Sequence, residues 1–231
     1  MDWLATFLHA PWLPQLLEGT GVTLQLFCWT LVLSIPLSIP IALGRMSKFW
    51  PLRQLVNVYL LVIRGTPLML QLIFVFFAPY YLSVYLVKLG LLSTPLQTPD
   101  RFTAAVFAFV INYAAYFSEI FRGGIESIPK GQYEAGQVLG FTRPQVFFRI
   151  VLPQVVKRVI PASANEVITL VKDTALAQVL GVLEVFTLAK KSASSNVSVM
   201  PLIAAGIIYF ILNWVVSWAF IRIEKKLDYY R

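Results

Sequence analysis

Five stretches of membrane-spanning length that carry little or no charge limit what this chain can fold into more than any other feature. They are Gly19–Gly44, Gln54–Val87, Phe102–Phe121, Val159–Val182 and Ser192–Ile221. A helix needs about 20 apolar residues to cross the hydrocarbon core of a bilayer. Of the 231 residues, 58% are hydrophobic and only 13% are charged. We therefore predict an all-α integral membrane protein with five transmembrane helices, which form a single domain over residues 1–231.

Positive charge is distributed unevenly between the two sides of this predicted bundle. One side carries thirteen Lys and Arg residues: Arg45, Lys48, Arg53, Arg122, Lys130, Arg143, Arg149, Lys157, Arg158, Arg222, Lys225, Lys226 and Arg231. The other side carries four: Lys88, Arg101, Lys190 and Lys191. Because cytoplasmic loops are enriched in Lys and Arg, we expect the N-terminus outside the cell and the C-terminus in the cytoplasm. This topology explains the formal net charge of +8 without a nucleic-acid partner.

One charged residue, Arg64, lies near the middle of the second stretch, whose other side chains are uncharged. An arginine at the centre of a membrane helix costs roughly 2.5–3.5 kcal/mol on insertion scales, so it needs a partner or a wet cavity. Pro67 cannot donate a backbone hydrogen bond to Ile63, which weakens the helix beside this charge. The combination predicts a path for a polar solute.

The longest polar segment lies between the third and fourth stretches. Pro129 predicts the start of a short helix, Lys130–Leu139, which Gly140 can end in the left-handed conformation. Thr142 and Pro144 predict a second helix, which leads into the fourth stretch. We expect these two helices to form a knob on the cytoplasmic side. Its apolar side chains suit either docking of a soluble partner or contact with lipid headgroups.

Seven residues of this knob follow a characteristic spacing: Glu134, Ala135, Gly136, Gly140, Ile150, Leu152 and Pro153. The pattern resembles the EAA loop of ABC-importer permease subunits and here covers about residues 127–153. It departs from that pattern at Gly136, where alanine is usual, and the glycine is expected to cost the short helix up to about 1 kcal/mol. The resemblance implies the type I importer permease fold, with these seven residues coupling the subunit to an ATPase.

Three further segments, residues 64–68, 115–125 and 171–174, are similar to the polar amino acid branch of those permeases. The resemblance covers nearly the whole chain. It implies a multi-pass subunit of a prokaryotic plasma (inner) membrane that imports polar amino acids delivered by an external solute-binding protein. The chain has no Gly-Lys dipeptide, so it lacks the P-loop pattern.

The subunit is accordingly expected to be a transport component and not an enzyme. No cofactor is expected in this chain, since the resemblance places ATP and Mg²⁺ on partner ABC ATPase subunits. Because five helices are few for a closed path, we also expect a dimer with a second permease subunit, either identical or related.

The membrane segments supply both charge signs that an amino acid zwitterion needs. Arg64 can bind a carboxylate with two parallel hydrogen bonds, and Asp173 is the candidate for the ammonium group. The other candidate substrate-binding residues are Asn57, Thr66, Tyr116, Glu119 and Thr169. Of these, Glu119 lies closest to the cytoplasmic end of its helix. The alternative is that Arg64 and Asp173 only neutralise each other, as buried charges in bundles usually do.

Three other classes of membrane protein compete with the importer permease. An ion channel also uses charges within the membrane, but it does not need the docking knob. Secondary transporters often contain internal repeats, and the sequence shows none. A membrane enzyme is disfavoured because the chain lacks a Ser/His/Asp set and a His/Cys metal cluster. The sequence does not name the amino acid, nor does it distinguish a homodimer from a heterodimer.

Overall fold

The computed structural model describes residues 10–227, and every regular element within that range is helical. The α-helices are α1 (Leu13–Arg45), α2 (Trp50–Gly65), α3 (Leu68–Lys88), α4 (Arg101–Glu126), α5 (Lys130–Val138), α6 (Arg143–Val146), α7 (Leu152–Asp173), α8 (Val185–Ser195) and α9 (Met200–Leu227). A π-helical turn, Phe147–Val151, joins α6 to α7, and a 3-10 helix, Thr174–Leu180, follows α7.

Four of these helices, α1, α3, α4 and α9, are long and apolar enough to cross a membrane. They overlap four of the five predicted stretches and extend beyond each of them by one to six residues. The remaining stretch, residues 159–182, contains the C-terminal part of α7 and the 3-10 helix. Although α7 has 22 residues, it carries Lys157, Arg158 and Glu166 and is less apolar than the other four. Its crossing of the membrane stays a prediction.

Two of the predicted stretches are wrong as single helices. The second divides into α2 and α3 at Thr66 and Pro67. Proline interrupts the backbone hydrogen bonding there, whereas Pro36 and Pro40 lie inside α1 without ending it. The fifth divides into α8 and α9, with Asn196 at the C-terminal cap of α8. In both places short polar or helix-breaking residues outweigh the apolar composition.

Helix α4 is the centre of the bundle and packs against α1, α2, α3 and α7. It begins at Asp100, whose carboxylate accepts a hydrogen bond from the backbone N–H of Thr103 over 3.1 Å. That bond stabilises the ionised carboxylate and lowers its pKa below the ordinary value. Phe109, Tyr113 and Phe117 recur at every fourth position and are buried, which makes α4 the hydrophobic axis of the fold.

Helices α1 and α4 approach closely because small residues line both sides of their contact. The buried face of α1 contains Thr23, Ser34, Ser38 and Ala42. The buried face of α4 is rich in alanine. Thr30 and Ser38 donate within their own helix, to the carbonyls of Leu26 and Ile35. Thr23 accepts from the backbone N–H of Val185 on α8, and the buried hydroxyl of Ser34 has no partner. Polar atoms can therefore lie at this contact without bonding to α4.

Helices α5 and α6 form the predicted knob. The observed α5, Lys130–Val138, is one residue shorter than predicted, and Gly140 after it has φ +79°. That left-handed conformation confirms the expected helix end. The second helix begins after Thr142, whose backbone N–H donates to Oε1 of Gln145 over 2.9 Å. It is short, because its continuation is the π-helical turn.

Candidate functional site

The break between α2 and α3 contains the first part of the site. Pro67 has no N–H to give to the carbonyl of Ile63, and the side chain of Gln71 supplies the donor instead. Its Nε2 lies 2.7 Å from the carbonyl oxygen of Ile63, 3.1 Å from that of Thr66 and 2.9 Å from the Thr66 hydroxyl. The interrupted helix is thus completed by one amide side chain.

Glu119 is the centre of an arginine cluster. Arg122 donates two hydrogen bonds to its carboxylate, over 3.1 and 2.9 Å. Arg45 and Arg64 each approach the same carboxylate at 3.6 Å, which is an ion pair outside hydrogen-bonding distance. Four groups from α1, α2 and α4 therefore meet at one point, with more positive than negative charge.

Arg64 is held loosely within this cluster. Its side chain keeps 44% of its surface exposed, against 16% for Glu119, and its guanidinium lies 5.5 Å from the ring centroid of Tyr116. A cation at that distance from an aromatic face is attracted to it. At 3.6 Å Arg64 makes no hydrogen bond to Glu119, and its contact with Tyr116 is with the face of the ring. The planar donor group of Arg64 is therefore available to an anion.

An open cleft of about 490 Å³ adjoins this cluster. It is lined by Arg45, Asn57, Leu60, Leu61, Arg64, Gly65 and Glu119. Asn57 donates to Oε1 of Gln54 over 3.3 Å, while its own Oδ1 is buried and has no partner. The predicted residues Asn57, Arg64 and Glu119 therefore share one cavity wall.

Asp173 lies at the other end of the site. Its Oδ2 accepts a hydrogen bond from the Tyr113 hydroxyl over 2.8 Å, and the Tyr113 ring lies 6.4 Å from that of Tyr116. Glu166 lies seven residues before Asp173 on α7, within electrostatic range of both Asp173 and Arg64. The two tyrosines thus connect the acidic end of the site to Arg64.

The structure does not pair Arg64 directly with Asp173: Arg64 lies against Glu119, and Asp173 lies against Tyr113. Tyr113 and Glu119 are six residues apart on α4, so their backbones are about 9 Å apart along the helix axis. Arg64 is also level with Glu119, about 10 Å from the end of α4, and so nearer the end than the predicted centre.

Thr66 and Thr169 are not among the residues that line the open cleft. The Thr66 hydroxyl donates to the carbonyl of Val62 over 2.8 Å and accepts from Gln71, so it is occupied in holding the helix end. Thr169 is exposed on α7. Sequence reasoning missed Gln71 and Tyr113 as site residues. Their only signals are a glutamine four residues after the proline and a tyrosine three residues before Tyr116.

The knob presents two different surfaces. Gly136 is the buried residue of α5, and a Cβ there would lie 2.7 Å from Cγ2 of Val146 and 3.0 Å from Cδ1 of Ile150. Glu134 and Ala135 are exposed on α5, as is Gly140 after it. Gly136 therefore allows α5 to lie close to the π-helical turn. The sequence predicts only that this glycine weakens α5, and not that it makes a close contact possible.

The knob is also fixed to the membrane helices. A core of Ile128, Val146, Val151, Val155 and Val159 runs from its base into α7. Leu152 is half-buried and Pro153 is exposed at the start of α7. Across this junction, the guanidinium of Arg158 donates to the carbonyl of Ser127. At the opposite end, Val138 and Leu139 are 87% and 72% exposed, so the tip carries unprotected apolar surface.

A second polar centre lies where α8 begins. The fully buried carboxylate of Glu184 caps this helix and accepts from the backbone N–H groups of Phe186 and Thr187, both over 2.6 Å. The hydroxyls of Thr187 and Tyr209 also donate to it, each over 2.7 Å. Gly19 of α1 packs against the same backbone. Four donors surround this carboxylate, and none of them is a cation.

Comparison with known proteins gives a consistent result. The family model described as "Binding-protein-dependent transport system inner membrane component" matches residues 34–229. The chain is 38% identical to the L-cystine transport system permease protein TcyB of Bacillus subtilis (strain 168), over 94% of this chain and 88% of TcyB. It is 36% identical to the arginine transport system permease protein ArtQ of the same strain, over 98% and 97%.

Solved structures agree. An amino acid ABC transporter crystallised with histidines superposes with a TM-score of 0.78 at 31% identity, over 92% of this chain and 94% of that one. The MetNI methionine ABC transporter in an inward-facing form superposes with a TM-score of 0.71 at 18% identity, over 95% and 99%. The second likeness concerns the fold alone.

Proposed function

The chain belongs to the family of binding-protein-dependent transport system inner membrane components, and from this premise we propose that it is the permease subunit of an ATP-driven amino acid importer. Relatives named for L-cystine and arginine transport match it over almost their whole length. The observation that carries the proposal is the exposed guanidinium of Arg64, which lines an open cleft together with Asn57 and Glu119.

We propose that α7 and the 3-10 helix Thr174–Leu180 together form a fifth membrane span beside α1, α3, α4 and α9. The 3-10 helix is needed because Asp173, the last residue of α7, bonds to Tyr113 halfway along α4. Helix α7 packs against both α4 and α9, so its charged face need not meet lipid. The Lys and Arg distribution then puts the N-terminus outside the cell and the C-terminus in the cytoplasm.

The knob is the proposed coupling element. Its exposed tip, Val138 and Leu139, offers apolar surface to an ABC ATPase subunit, while Gly136 packs its base against Val146 and Ile150. A movement of α5 would therefore reach α7 through packed side chains. ATP and Mg²⁺ would be held by the ATPase subunits, which act together with a second permease subunit and an external solute-binding protein.

In the proposed substrate path, Arg64 binds the α-carboxylate. Asp173 would receive a cation of the substrate. This is the α-ammonium or, in a longer substrate, a distal group such as the guanidinium of arginine or the second ammonium of cystine. Tyr116, Asn57 and Glu119 would border the space between these groups, and Thr169 lies on the face of α7 that carries Glu166.

Arg64 can change partners at low cost. Glu119 retains two hydrogen bonds to Arg122 and the nearby charge of Arg45 when Arg64 turns away. A substrate carboxylate that accepts two charge-assisted hydrogen bonds from Arg64 would therefore replace only a 3.6 Å ion pair. This exchange leaves no buried charge unpaired.

Uptake into proteoliposomes tests the proposal. The reconstituted complex is supplied with its solute-binding protein and ATP, and import of L-arginine and L-cystine is measured. Arg64→Ala is expected to abolish import, and Arg64→Lys to restore little, because an ammonium group lacks the planar pair of donors. Arg53→Ala removes an exposed arginine from the same helix and is the matched control. Near-normal import by Arg64→Ala would refute the proposed site.

A further inference from the structure

Gln71 connects three helices at the point where the site begins. It lies in the first turn of α3, its Nε2 donates to the end of α2, and its Oε1 accepts from Nδ2 of Asn112 on α4 over 2.9 Å. Only 5% of Asn112 is exposed. Since a buried amide without a partner is costly, Gln71 and Asn112 require each other as well as the broken helix.

The geometry ties this connection to Arg64. Two of the oxygens that Gln71 binds, those of Ile63 and Thr66, lie on either side of Arg64 in the chain. Asn112 lies one helical turn before Tyr116 on α4, and Tyr116 is the residue against which the guanidinium of Arg64 rests. One side chain therefore fixes the backbone that carries the cation relative to the helix that carries its aromatic neighbour.

A second bond joins the two helices further back, where the hydroxyl of Tyr59 on α2 donates to the carbonyl of Ile111 on α4 over 2.6 Å. The last turn of α2 depends more on Gln71, because Leu60 is the only buried residue of α2, and Gly65, Thr66 and Pro67 are exposed. Backbone carbonyls released by a proline in a membrane helix must find another donor. A helix end that lacks buried packing and its terminal hydrogen bonds opens easily.

We propose that Gln71 is a positioning residue that locks the end of α2 to α4 and so sets the place of Arg64 in the substrate path. This inference rests on the proposed transport function for its consequence, but the lock itself is a property of the chain alone. Gln71 need not touch the substrate. It acts through Arg64, by keeping the guanidinium over Tyr116 and within reach of the cleft.

Hydrogen exchange measures the lock without reference to any substrate. The permease–ATPase complex is compared in detergent as wild type, Gln71→Leu and Gln71→Glu. Glutamate keeps the shape and the acceptor for Asn112, but when ionised it has no donor for the carbonyls. Both variants are expected to exchange the amides of residues 57–66 about tenfold faster, the change expected from losing two ordinary hydrogen bonds. Gln15→Leu, at an exposed position of α1, is the control. Unchanged exchange in Gln71→Leu would overturn the proposal.

A double variant separates positioning from simple stabilisation. Gln71→Leu leaves the amide of Asn112 buried without its partner, and adding Asn112→Leu removes that amide. The double variant is therefore expected to recover most of the thermal stability. Its affinity for radiolabelled L-arginine or L-cystine, measured on the complex without the solute-binding protein, is expected to stay about tenfold weaker. Recovery of both stability and affinity would show that Gln71 only stabilises the fold.

The two proposals fail in different ways. Arg64→Ala is expected to lose import while the amides of residues 57–66 exchange at the wild-type rate, because the bonds of Gln71 are to backbone and Thr66. If Arg64→Ala imports normally and Gln71→Leu still exchanges faster, the lock exists but the substrate site lies elsewhere. If exchange does not change, the lock is refuted, whatever the role of Arg64.

Discussion

Glu184 is predicted to cap α8 through both of its carboxylate oxygens, a role that its amide isostere cannot fill. Its Oε1 accepts from the N–H and hydroxyl of Thr187, and its Oε2 accepts from the N–H of Phe186 and the hydroxyl of Tyr209. Glu184→Gln preserves the volume but replaces one acceptor by an amino group. Whichever way the amide turns, it opposes at least one backbone N–H.

The expected magnitudes follow from these bonds. An unsatisfied buried donor costs roughly 1–3 kcal/mol, so Glu184→Gln should lower the free energy of unfolding by about 2 kcal/mol. Glu184→Ala loses the helix cap, worth about 1 kcal/mol, and the bond from Tyr209 to a charged group, worth about 1.5–3 kcal/mol. With the cavity that remains, its total cost is roughly 3–5 kcal/mol.

Thermal unfolding followed by tryptophan fluorescence checks this ranking. At about 2–4 °C per kcal/mol for a chain of this size, Glu184→Gln should lower Tm by about 6 °C and Glu184→Ala by about 12 °C. Asp100→Ala removes an exposed carboxylate cap from α4 and should lose only about 3 °C. A wild-type Tm in Glu184→Gln would refute the four-acceptor arrangement.

Two further predictions concern the knob. Gly140→Val is expected to abolish substrate-stimulated ATP hydrolysis in the reconstituted complex, because a β-branched residue resists φ +79°. Gly90→Val is the control, since Gly90 has φ +73° but lies before α4 and outside the knob. Equal loss of ATP hydrolysis in both variants would mean that backbone strain alone is responsible. Gly136→Ala is expected to lower Tm by about 3 °C, because overpacking against Val146 and Ile150 costs more than the roughly 1 kcal/mol gained in helix propensity. Gly131 is on the same helix, and a Cβ there would meet nothing within 4 Å, so Gly131→Ala should raise Tm slightly. Equal Tm changes in the two alanine variants would contradict the close packing of Gly136.

The sequence predicts the membrane class, α1, α4 and the knob well because each depends on local pattern. An uncharged stretch of suitable length has few alternatives to a membrane helix, and the left-handed end at Gly140 is a local requirement of the chain. Pro67 also predicts a weak point in the helix that carries Arg64. Its position alone does not show that the helix ends there, since Pro36 and Pro40 are tolerated within α1.

The pairing of charges in the site could not be predicted from single helices. Helical spacing places Arg64 on a face of α2 and Asp173 on a face of α7, but the break after Gly65 decides which level of α4 Arg64 reaches. It reaches Glu119, a candidate near the cytoplasmic end of its predicted helix, and not Asp173. Gln71 escaped notice because its bonds join residues whose proximity depends on how three helices pack.

The π-helical turn Phe147–Val151 fixes how far the knob is rotated about the axis of α7. A π turn closes its hydrogen bonds over one residue more than an α turn, and one residue of an α-helix corresponds to about 1.5 Å of rise and 100° of rotation. The knob therefore faces a direction set by this extra residue as well as by its own packing. Gln154 steadies the arrangement by donating to the carbonyl of Ile150 over 2.8 Å. Inserting or deleting a residue here would turn the whole knob around the axis of α7.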